Sequence, residues 1–153
     1  MAKIEKSAKI KARPEKVWEM LAFDRHPEWD EQMQKGLKSL EFTSEVLTPE
    51  DKYRVGATAH VNMREGKFDF EITESLENEK MTFHAKKPGT NRTLATATFI
   101  LQSVEDGTQF TCLYDYEMPW GVIGKFLEKL FARRMEERHQ EKCLEQLKSI
   151  LEQ

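Results

Sequence analysis

The sequence predicts an α+β fold in which one antiparallel sheet of seven strands wraps around a single long C-terminal helix. Three observations carry this. From Leu37 to Met118, apolar and polar residues alternate in stretch after stretch, separated by short polar or glycine-containing turns. From Val122 to Leu151 there is no proline, and no glycine after Gly124. Between the first strand and the run of strands lie two short helix-like segments, each with a proline near its start.

Taken in order, Lys3 to Ala12 alternates Ile4, Ala8 and Ile10 against Glu5, Ser7, Lys9 and Lys11, which is a strand. Lys6 interrupts its apolar side and is expected near a strand end. Arg13-Pro14-Glu15 opens a helix whose one face carries Val17, Trp18 and Leu21. A second short helix begins near His26-Pro27-Glu28-Trp29 and ends by Gly36. Six strands follow: Leu37 to Val46, Val55 to Met63, Lys67 to Leu76, Lys80 to Ala85, Thr93 to Val104 and Thr108 to Met118. The last two flank Glu105-Asp106-Gly107, a hairpin signal. Short connections favour an antiparallel meander. The closing helix, Val122 to Leu151, spans ~42 Å at about 1.5 Å per residue. One stripe carries Leu127, Phe131, Met135, His139, Cys143, Leu147 and Ile150. Glu128, Arg133, Glu136, Glu137, Gln140 and Glu141 form the face expected in solvent.

Composition narrows the function classes. The chain has 153 residues and a formal net charge of -3, so a single domain spanning 1–153 is expected and no nucleic-acid footprint is evident. A mean hydropathy of -0.70 and the lack of any run near the ~20 apolar residues needed to span a bilayer argue against an integral membrane protein. The first six residues lack the apolar centre of a signal peptide, so the expected location is cytoplasmic. Cys112 and Cys143 match no metal spacing and read as small buried residues. Neither a cofactor nor a metal is expected. No nucleophile elbow, phosphate loop, dinucleotide fingerprint or zinc signature is present.

The strands carry alanine where cores usually carry bulk. Ala57, Ala59, Val61 and Met63 share one face of a strand, as do Ala95, Ala97, Phe99 and Leu101. Interiors avoid voids, so either a bulky element covers these alanines or a ligand does.

The segment Ala12-Arg13-Pro14-Glu15-Lys16-Val17-Trp18-Glu19-Met20-Leu21 resembles the opening of the START-like (SRPBCC) superfamily. So do His26-Pro27-Glu28-Trp29-Asp30, the Trp120-Gly121-Val122-Ile123-Gly124 junction and the closing helix to Glu152. The resemblance spans the chain and is nearest to the polyketide cyclase/dehydrase and lipid-transport branch. It implies a helix-grip fold with a cavity between sheet and helix. Lipid carriers, hormone receptors, cyclases and proteins of unknown role share that fold, so fold does not fix function.

With this fold, the alanines widen a cavity. Its expected ligand-binding lining is Trp29, Ala57, Ala59, Phe70, Phe83, Ala97, Phe99, Tyr114, Tyr116, Phe131, Met135 and His139. Tyr114 and Tyr116 share the inward parity of Phe110 and Cys112, whereas Asp69, Glu71, Asp115 and Glu117 face outward. For an enzyme, the catalytic candidates are His139 with Tyr114 or Tyr116. His139 has no carboxylate beside it on its own helical face, which favours binding over catalysis. The expected function is to bind or carry an apolar, lipid- or polyketide-like small molecule. The alternatives are a cyclase, dehydrase or isomerase acting on a polyketide-like carbonyl compound, and a co-chaperone-type interaction protein. A monomer or weak homodimer is expected.

Overall fold

Residues 2–30, 43–46, 52–63, 66–116 and 132–152 are described by a computed structural model. Alternation becomes a seven-stranded antiparallel sheet: β1 (Ala2–Ile10), β2 (Thr43–Val46), β3 (Thr58–Met63), β4 (Gly66–Leu76), β5 (Lys80–Lys86), β6 (Thr93–Val104) and β7 (Gly107–Tyr116). Six strands have six residues or more, and β2 is a four-residue edge. The spatial order is β1-β7-β6-β5-β4-β3-β2: the meander runs from β2 to β7, and β1 closes onto β7. Between β1 and β2 come helix α1 (Pro14–Glu19) and a 3-10 turn (His26–Glu28). Helix α2 (Ala132–Leu151) closes the described chain. The parts of the expected strands and helix at 37–42, 117–118 and 122–131 lie outside the described residues.

β3 begins later than the alternation suggests. Gly56 takes φ +94°, and Ala57 N–H returns to the Arg54 carbonyl, so Val55 and Gly56 form a turn. Ala57 still joins the sheet through Ile72, whose N–H donates to its carbonyl at 2.9 Å. A register shift between Ile72 and Glu74 gives β4 an irregularity of the kind that bends a strand.

The inner face is laid out in cross-strand rows. One row runs Ala59, Phe70, Ala85, Ala95, Tyr116. The next runs Ile72, Phe83, Ala97, Tyr114, Ile4, and the third Met81, Phe99, Cys112, Lys6. In the first two rows aromatic rings stand opposite alanines, so small residues leave room for the rings beside them. The outer face carries exposed or half-exposed polar pairs instead, such as His60 with Asp69 at 2.6 Å and Lys80 with Glu74 at 3.2 Å. Such pairs contribute little to stability.

Among the described residues, the terminal helix α2 and an aromatic segment cover the inner face, and α1 packs against β6 and β7. α2 lies against β1, burying Cys143, Leu144 and Leu147. The aromatic segment around the 3-10 turn covers β4, β5 and β6. Lys6 is therefore not near a strand end. It sits at the middle of β1, and its ammonium reaches Glu141 of α2 at 2.9 Å. Its hydrocarbon stem can follow the apolar surface while the charge stays at the rim. Gln140, expected in solvent, also faces the sheet, while Glu141 stays exposed, as expected, and meets Lys6 at the rim. The Gln140 amide oxygen accepts from the Cys112 thiol at 3.3 Å. The contact arc of α2 is wider than its apolar stripe because inward-facing Lys6 and Cys112 supply polar partners. Farther along, the Glu152 carboxylate accepts the Lys11 N–H at 2.9 Å and ties the end of α2 to the loop after β1.

The β6–β7 turn places Asp106 at φ +64°, while Gly107 is needed for a different reason. A Cβ there would lie 2.2 Å from the Ile10 carbonyl oxygen. Gly107→Ala must push β1 away from β7 and is expected to lower unfolding stability by about 2 kcal/mol or more. Asn78→Gly, at a turn position with φ +62°, is expected to stay within about 0.5 kcal/mol of the parent. Urea unfolding of both variants checks this, and equal stabilities would refute the close-approach argument.

Candidate functional site

The chain after α1 places its aromatic residues at intervals of three: Phe23, His26 and Trp29. A 3-10 backbone turns about three residues at a time, so this spacing puts all three rings on one side. Backbone bonds from Arg25 and His26 to the Ala22 carbonyl fold the segment back, and the Trp29 indole N–H donates to the Met20 carbonyl at 2.8 Å. The face so formed lies on the sheet. Phe23 meets Phe70 and Phe83 at centroid distances of 5.6 and 5.4 Å, and Trp29 meets Phe99 at 5.8 Å.

His26 occupies the centre. Its ring lies 5.4 Å from Phe83, 5.8 Å from Phe99, 5.0 Å from Trp29 and 5.9 Å from Phe23. It is 4% exposed, and its Nε2 has no hydrogen-bond partner among the described residues. Burial among these rings pushes its pKa down to about 4. The Asp30 carboxylate, a backbone hydrogen bond to Leu21 and the Asp24 charge pull the other way without overcoming it. His26 is thus a neutral imidazole near neutral pH.

Asp30 follows at the end of the turn, its N–H held by the His26 carbonyl at 2.8 Å. It faces α2, where His139 and Cys143 are four residues apart and share a helical face. His139 Nε2 lies 3.6 Å from Asp30 Oδ2 and 3.5 Å from Cys143 Sγ. Burial works against charge on His139, but the Asp30 carboxylate and Cys143 sulfur outweigh it and raise its pKa above the usual imidazole range. One segment therefore holds a histidine driven neutral and, through Asp30, touches one driven toward its charged form. Environments that separate titratable groups in this way are common at functional sites.

The structure brings Trp29, Phe70, Phe83 and Phe99 into one aromatic cluster, with Ala57, Ala59 and Ala97 buried in the same core. Tyr114 and Tyr116 stack on each other at 5.4 Å, half-buried at the β7 end of the first two rows. His139 is held by Asp30 and Cys143. The expectation for His139 concerned its own helical face; the carboxylate near it, Asp30, arrives from another element, a proximity that helical spacing cannot reveal. Phe131 and the Met135 side chain lie outside the described residues. Sequence reasoning names His26, Asp30 and Phe23 in no site role. The spacing of three in residues 23–29 is the available signal for Phe23 and His26.

The chain matches, over residues 1–152, the family model described as polyketide cyclase / dehydrase and lipid transport. The chain belongs to this family. Solved structures agree on the fold. A Bacillus halodurans protein is similar at 20% identity and TM-score 0.70, covering 99% of this chain and 97% of that one. The Aha1 dimer of Colwellia psychrerythraea is similar at 20% identity and TM-score 0.68, covering 99% and 96%. DynU16, from the dynemicin biosynthetic locus, is similar at 15% identity and TM-score 0.61, covering 98% of this chain and 47% of that one. No functionally curated protein matches the sequence. Among the described residues, no helix is long and apolar enough to cross a membrane.

The depressed pKa of His26 has a sign that can be checked. The unfolded chain takes up a proton near pH 6.5, whereas the folded site resists it until about pH 4. The stability contribution is complete above the unfolded value and is lost as pH falls through this window. Between about pH 7 and about pH 5 this amounts to roughly 2 kcal/mol. His26→Leu should flatten the acid limb of stability by that amount. Urea titrations at the two pH values measure it, and an unchanged acid limb in the variant would exclude His26 as the source.

Proposed function

We propose that this protein binds an apolar small molecule, lipid- or polyketide-like in character, against the inner face of its sheet beside the Ala59, Phe70, Ala85, Ala95, Tyr116 row. One observation carries the reading. In the third row Met81 is 0%, Phe99 3% and Cys112 4% exposed; in the first row Ala59 is 1% exposed, while Phe70, Ala85 and Ala95 keep 7–8% and lead to two half-buried tyrosines. Accessibility thus rises toward a strip of small and aromatic residues with phenol hydroxyls at its end. An apolar body suits the alanines and rings, and a ligand oxygen suits the phenols. Phe23 packs on Phe70 of this strip, and His26 and Trp29 cover Phe83 and Phe99 beside it, so the alanine pattern is answered partly by aromatic packing and partly by the ligand.

A cyclase or dehydrase reading is supported by the Asp30 carboxylate beside His139, which supplies the orienting partner an acid–base histidine needs. The binding reading is favoured because the apolar strip requires no catalytic group. A co-chaperone-type role would use an outer surface and leave the strip without a ligand.

Ala95→Phe is expected to fill the strip. Binding of a fluorescent apolar probe such as a naphthalene sulfonate should weaken by about 10-fold or more, with the unfolding midpoint little changed. Tyr116→Phe should alter affinity only for ligands bearing a carbonyl or hydroxyl. If Ala95→Phe instead lowers stability by ~1–3 kcal/mol, as overpacking does, the strip is solid core and the binding reading fails.

A further inference from the structure

We infer that Asp30, His139 and Cys143 form a binding site for one zinc-like divalent ion, joining the 3-10 segment to α2. The three donor atoms lie within 4.8 Å of one another. The Asp30 to His139 separation of 3.6 Å is that of an ion pair, longer than the 2.7–3.2 Å of a close N–H···O hydrogen bond. It is close to the spacing that a shared ion imposes. With metal–sulfur near 2.3 Å and metal–nitrogen or –oxygen near 2.0–2.1 Å, the edges of a tetrahedron are ~3.3–3.6 Å. The observed 3.5 Å from sulfur to Nε2 and 3.6 Å from Nε2 to carboxylate fall in this range; the sulfur also lies 3.9 Å from Nδ1, so binding the ion through Nε2 requires the imidazole ring to turn toward it.

Chemistry and burial agree with the geometry. A thiolate, an imidazole and a carboxylate together select a borderline ion such as Zn²⁺ over Mg²⁺ or Ca²⁺, which prefer oxygen. Cys143 is 2% exposed, and the His139 and Asp30 side chains are 11% and 21% exposed, so the donors are largely withdrawn from competing water. Two of them are fixed at four-residue spacing on a helix, and the third is fixed by the backbone bond from Asp30 to His26. The sequence shows no metal signature because Asp30 and the α2 pair meet only in the folded chain. Three protein donors leave one tetrahedral position for water or an incoming group.

The test uses the full chain, reduced with a non-chelating phosphine, stripped of metal and titrated with cobalt(II). The wild type should take up one cobalt per chain, with intense visible d–d bands and a near-ultraviolet thiolate-to-cobalt band. Cys143→Ser should lose the thiolate band, whereas Cys112→Ser, altering the other cysteine, should keep it. Asp30→Asn should weaken cobalt binding by at least about 10-fold. Far-ultraviolet circular dichroism verifies that each variant is folded, and His139→Gln replaces any that is not. No uptake at micromolar cobalt, or a thiolate band that persists in Cys143→Ser, overturns the site. Apolar-probe binding by Cys143→Ser should remain, so the two proposals fail separately.

Discussion

A single neutral imidazole, that of His26, sets the arrangement of the inner face. Charged, it would be buried away from water with its Nε2–H lacking an acceptor among the described residues; neutral, it packs as one more flat side chain among four rings. With the ring in position, Phe23 and Trp29 fall onto β4 to β6, and the chain leaves the cluster with Asp30 facing α2. The short segment thus does two jobs that the sheet cannot do alone. It fills the space above small residues, and it carries an acidic group to the helix.

This division alters what the alanines mean. In a sheet gripping a helix, small inward residues suggest an empty interior. Here Ala97 lies opposite Phe83 and Tyr114, and Phe83 touches Phe23 and His26. Part of the missing volume is returned by rings from outside the sheet. What is left to a ligand is the row with residual exposure, a narrower claim than a cavity spanning the whole interface. Family membership and likeness to structures at 15–20% identity establish the architecture and leave the ligand to this local geometry.

Much of the architecture is readable from sequence because a strand's period of two is written in adjacent residues. Alternation predicts β6 at Thr93–Val104, where it is found, and β4 and β5 differ from their expected bounds by one residue at one end. The start of β3 misleads because a positive-φ glycine turns the chain where alternation still continues. Lys6 misleads because its partner, Glu141, lies 135 residues away. The site is less legible for the same reason. His139 stands out on its stripe, but the carboxylate facing it comes from a turn 109 positions earlier in the chain, and no local period connects them. His26 is visible in a spacing of three, yet its burial depends on Phe83 and Phe99, which alternation marks only as inward.

The pairing of β1 with β7 sets the order in which the molecule can be completed. Ala2 finds its sheet partner at Tyr116, and the end of α2 is tied to Lys11. During synthesis the first strand emerges with no neighbour to hydrogen-bond and waits for roughly a hundred further residues. At about 5–20 residues per second that delay is on the order of 5–20 s. A sheet closed by its two most distant strands has high contact order and gains its last long-range contacts late. An unpaired strand edge is a template for wrong pairing with other chains, and the arrival of β7 is what removes that hazard.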